Sequence, residues 1–105
     1  MSYYLLELPE LLADRFYRLA DRWKAQPFYS PWLIEKVQHP DYQAIIAMGW
    51  EAVPFILREL TIERDHWFVA LRTITGENPV PEDCYGNLPK MTARWLKWGK
   101  ARGLI

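Results

Sequence analysis

The chain has 105 residues, half of them hydrophobic and 25% charged, and its 13 basic and 13 acidic residues cancel. That is the composition of one folded domain over residues 1–105 with a modest core. It excludes a collagen-like chain, a domain that is basic overall and, with Cys84 as the single cysteine, a disulfide scaffold. No apolar run approaches the ~20 residues a bilayer demands.

Residues 1–8 lack the basic start and small-residue cleavage site of a signal peptide. With one cysteine, a reducing cytoplasm is the expected location. Residues 9–25 read as an amphipathic helix. Pro9 suits a first turn, where its missing N–H costs nothing. Leu8, Leu12, Phe16, Leu19 and Trp23 recur at spacings of three and four and share one face. Asp14, Arg15, Arg18, Asp21 and Arg22 fall mainly on the other. Pro27 ends the helix.

Ser30-Pro31 is a helix-start signal, a capping hydroxyl before a proline. It predicts a short helix over 31–38 with Leu33, Ile34 and Val37 inward, broken by Pro40. A third helix is predicted over 41–48 and closed by Gly49 as a left-handed cap. A fourth follows over 50–60, with Pro54 in its first turn and Val53, Ile56, Leu57 and Leu60 as its stripe. Asp65 reads as the N-cap of a fifth helix over 66–75, which carries Trp67, Phe68, Leu71 and Ile74 and stops at Gly76. Two prolines and two glycines make 76–87 a loop. Pro89 then restarts a helix over 89–102, with Met91, Trp95 and Trp98 at helical spacing and Gly103 as its end. No strand-like stretch alternates against a partner. The expected fold is all-α, a compact bundle of five or six short helices.

Two segments echo each other. Ala47-Met48-Gly49 and Ile74-Thr75-Gly76 each close a helix, and their glycines are 27 residues apart. Between them lie Ala52-Val53-Pro54, a leucine-rich helix, a short acidic turn and a second helix. Residues 41–76 resemble HEAT-type repeats of the phycobilisome-lyase-like variety, which often read glycine, Ala-Val-Pro, then a leucine-rich helix. Trp67 and Phe68 stand where such repeats usually carry an arginine and a run of alanines. The resemblance implies HEAT-like helix pairs and a scaffold or binding role without catalysis. The whole chain also resembles a family of small uncharacterised bacterial proteins, and that resemblance implies no activity.

Residues with catalytic potential are few. His39 and His66 each have a carboxylate nearby in sequence, Asp41 for the first, Asp65 and Glu63 for the second. Joined by the fold, two histidines and a carboxylate suit a transition metal. The plainer reading makes both histidines surface or capping groups at helix starts. Cys84 with a histidine would be a nucleophilic pair, but it lies in a loop with no neighbouring base. No phosphate loop, nucleophile elbow or dinucleotide fingerprint occurs. The expectation is no enzyme, no cofactor and no metal.

Charge is distributed unevenly. Residues 90–102 hold Lys90, Arg94, Lys97, Lys100 and Arg102 and no acid, whereas residues 25–89 hold nine acids against four bases. Three readings of the basic helix stand side by side. It is a solvated face, or it docks on an acidic partner protein or on the chain's own acidic middle, or it contacts nucleic-acid phosphates with indoles available for stacking. Aromatic residues are 15% of the chain, with six tryptophans. The plain reading puts these rings in the core; the sharper one puts two or three of them on a binding surface.

The function these features predict is a protein-interaction module, an adaptor or an antitoxin-like neutralising subunit. Its candidate contact residues are Trp50, Trp67, Arg94, Trp95, Lys97 and Trp98. The alternative is a nucleic-acid-binding accessory protein using Lys90, Arg94, Lys97, Lys100 and Arg102. No membrane partner is expected.

Overall fold

The computed structural model describes residues 2–27 and 33–105, with side chains from Leu12 onward in those ranges. Six α-helices follow one another among the described residues: α1 (Ser2–Lys24), α2 (Leu33–Gln38), α3 (Pro40–Ala47), α4 (Val53–Ile62), α5 (Phe68–Thr75) and α6 (Leu88–Ala101). Two 3-10 turns, Gly49–Ala52 and Glu82–Cys84, sit before α4 and α6. No strand occurs among the described residues, so the fold is all-α as expected. The cap and helix start expected at Ser30 and Pro31 lie outside the described residues.

The α1 pattern holds. Phe16, Leu19 and Trp23 are buried, Leu12 is half-buried, and Asp14, Arg15, Arg18, Asp21 and Arg22 are all exposed. Its start does not hold, because the helix begins at Ser2 and runs through Pro9. The proline forfeits one intrahelical hydrogen bond there, yet its fixed φ is itself helical and does not stop the chain.

Helices α3 and α5 both end at glycines with left-handed backbone, Gly49 at φ 72° and Gly76 at φ 70°. A Cβ is strained at those angles, so the two echoing glycines mark left-handed helix ends. Pro54 lies in the first turn of α4 as expected, and the residues before it form a 3-10 turn rather than more α-helix. Asp65 is not the N-cap of α5. Trp67 holds that position with no side-chain cap. Asp65 instead folds back locally, its Oδ1 accepting from the His66 N–H at 2.7 Å. His39 is the N-cap of α3, its Nδ1 accepting from the Asp41 N–H at 3.1 Å.

The core is built on rings. Trp67 is central, with ring centroids 4.8 Å from Trp23, 5.9 Å from Phe16 and 6.0 Å from Tyr42. Phe55 stacks on Phe16 at 5.4 Å and brings α4 into the same cluster. Helix α1 packs mainly on α3, and α4 on α6, while α3 also meets α2 and α5. Each fully buried large side chain contributes roughly 1.5–3 kcal/mol.

Polar ties lock these helices together. The Trp23 indole N–H donates to the Lys36 carbonyl at 2.9 Å. Arg22 reaches Asp41 at 2.6 Å, and Lys24 reaches the buried Glu59 at 3.1 Å. In the loop between α5 and α6, Val80 and Cys84 turn inward and are buried. No helix among the described residues is long and apolar enough to cross a membrane.

Candidate functional site

Helix α6 starts with Asn87 as its N-cap, whose Oδ1 accepts from the Lys90 N–H at 3.1 Å, and has Pro89 in the first turn. It ends at Gly103, where the Gly103 N–H donates to the Lys100 carbonyl at 3.1 Å and the Leu104 N–H to the Gly99 carbonyl at 2.9 Å. Both ends are therefore closed by local hydrogen bonds. Between them Thr92, Trp95 and Gly99 are buried.

At about 100° per residue, Lys90, Arg94 and Lys97 occupy an arc of about 60° centred opposite that buried stripe. All three are exposed, as is Lys100. None of the four has an ion pair among the described residues. Arg102 is different. It pairs with Glu77 from the loop after α5, and its guanidinium lies over the Trp98 ring at 4.8 Å. Its charge is already matched, which removes it from the free cationic stripe.

Trp98 flanks the stripe. It is half-buried, its N–H reaches Glu77 at 3.4 Å, and its ring stacks on Trp50 with centroids 6.2 Å apart. Trp50 leaves 48% of its surface open to solvent. The 3-10 turn before α4 thus carries one indole, α6 the other, and the cations run beside the pair.

Two predicted contact residues are corrected. Trp67 and Trp95 are both 0% exposed and belong to the core. Trp67 precedes α5 at the centre of the ring cluster, where helical periodicity does not govern it. Trp95 lies on the buried stripe, and the cationic stripe itself carried the signal: whatever stands opposite Lys90, Arg94 and Lys97 must face inward. Of the six contact candidates the fold brings Trp50, Trp98, Arg94 and Lys97 to one surface. The sequence reading missed Glu77, which ties α6 to the preceding loop. Its only signal was an acid 25 positions before Arg102.

The buried indole N–H groups of Trp67 and Trp95 and the hydroxyl of Thr92 find no hydrogen-bond partner among the described residues. Each such group costs about 1–3 kcal/mol. Among the described residues, those considered for a metal site do not come together. His39 and Asp41 are neighbours, with Nδ1 3.7 Å from Oδ2, but both are engaged in capping α3 and holding Arg22. Cys84 is buried, with its thiol 3.7 Å from the Asp83 carboxylate. No group of three histidine, cysteine or carboxylate side chains among the described residues is placed to hold a metal ion.

Comparison with family models, curated proteins and solved structures finds no match to this chain.

Proposed function

We propose that this chain is a non-catalytic protein-interaction module, an adaptor or antitoxin-like neutralising subunit. It binds an acidic partner protein through the outward face of α6. The observation that carries this reading is the unpaired stripe of Lys90, Arg94 and Lys97 beside the half-open Trp50–Trp98 stack. Large rings supply burial at an interface, and unmatched cations supply orientation and encounter rate. The HEAT-like resemblance over 41–76 supports the same role, since helix pairs of that kind present surfaces. A cytoplasmic setting belongs to this reading and is supported by the single buried cysteine.

The test compares tagged wild-type chain with the double variant Arg94→Glu/Lys97→Glu in pull-downs from host lysate. Both side chains are exposed, so the variant should keep its stability within about 0.5 kcal/mol. The expected result is one stoichiometric acidic protein retained by the wild type and lost by the variant. Co-purifying nucleic acid would replace the reading with phosphate recognition through the same stripe. Its signature is an affinity that falls with salt at a log–log slope of roughly −0.9 per phosphate contact on duplex DNA.

A further inference from the structure

A second feature lies on the flank of α6, away from the cationic stripe. A pocket of about 290 Å³ opens between α5, the loop that follows it and the first half of α6. That volume falls just under the roughly 300 Å³ at which drug-sized sites begin, so it suits a small ligand. Phe68, Leu88 and Met91 form its apolar wall, with the fully buried Trp95 behind them. Arg72 and Asn78 stand at its exposed edge, where the Asn78 amide donates to the Tyr85 hydroxyl at 2.8 Å.

Among the described residues, no acidic side chain lines this pocket. Arg72 is exposed and has no ion pair among the described residues. Glu77, which shares the adjoining surface depression with Arg72, is held by Arg102 and the Trp98 indole N–H. The pocket therefore combines an apolar wall with an unmatched guanidinium. An unpaired cation beside an apolar pocket calls for an occupant with an apolar body and an anionic oxygen acceptor.

We infer that this pocket binds a small aryl or alkyl monocarboxylate. Its apolar body lies against Phe68, Leu88 and Met91, and its carboxylate pairs with the Arg72 guanidinium. This site is separate from the partner-binding face and stands or falls independently of it.

Titration calorimetry on the full chain tests the inference with three probes of one shape: phenylpropionate, phenylpropanol and phenylpropylamine. The carboxylate should bind about tenfold more tightly than the alcohol, and the amine more weakly than either. Arg72→Gln, at an exposed position, should fold normally and lower carboxylate affinity to that of the alcohol. Arg64→Gln, an exposed arginine outside the pocket, should leave carboxylate affinity unchanged. Equal binding of carboxylate and amine would overturn the proposal. So would carboxylate binding by Arg72→Gln at wild-type strength, an equal loss in Arg64→Gln, or no binding of any probe at millimolar concentration.

Discussion

Tyr42 places both halves of its hydroxyl against the start of α5, donating to the His66 carbonyl and accepting from the Ala70 N–H, each at 2.9 Å. Burial pushes the phenol well above its usual range, so it stays protonated and keeps both bonds. Tyr42→Phe preserves the ring stack on Trp67 and removes only the hydroxyl. It should cost about 1–3 kcal/mol in urea unfolding, because a buried donor and acceptor lose their partner. Asp41 gives a pH prediction. Hydrogen bonds from Arg22 hold its carboxyl below the ordinary carboxylate value; burial opposes the shift, and the charges of Arg22 and His39 add to it. A lowered folded-state value favours the ionised form. Its contribution is therefore complete above about pH 4 and is lost as pH falls through the folded value. Wild type should exceed Asp41→Asn in stability at pH 7, with the gap closing as pH falls below the ordinary carboxylate value of about 4 when both are unfolded in urea. Neither role was legible in the sequence. Tyr42 read only as an apolar position, and Asp41 only as a neighbour of His39, because their partners come from other helices.

Among the elements, the α4–α6 contact depends on one missing side chain. A Cβ built on Gly99 would lie 2.6 Å from Leu57 Cδ1, and Leu57 is itself fully buried. Gly99→Ala should destabilise by about 1–3 kcal/mol through overpacking, despite a helix-propensity gain of up to ~1 kcal/mol. In a Leu57→Ala background the same change should be neutral or stabilising. A double-mutant cycle reads the difference as coupling between the two helices. Helix order was largely legible, since proline, glycine and apolar spacing act within a few residues. The α1 face, the turns at Gly49 and Gly76 and the first turns of α4 and α6 all follow from such local rules. The errors arose where local signals were ambiguous. Pro9 suits a helix start and also a helix interior that surrenders one bond. Asp65 has the chemistry of an N-cap, but its carboxylate bonds to the very next N–H.

For the whole molecule, neutrality conceals a separation of charge between an acidic middle and α6. That separation was legible by counting along the chain, and it located half of the candidate surface. The Trp50–Trp98 stack was not, because it joins residues 48 positions apart in the chain. The pocket beside α5 was equally hidden, being formed where the 76–87 loop returns against two helices. That same loop buries the only sulfhydryl of the protein, Cys84. Alkylation of this atom is consequently a single-site clock for the lifting of one segment. Iodoacetamide should modify the native protein at least roughly a hundredfold more slowly than the urea-unfolded chain, with mass spectrometry as the readout. One unmutated atom thus gives a direct measure of how often the stretch around residue 84 opens.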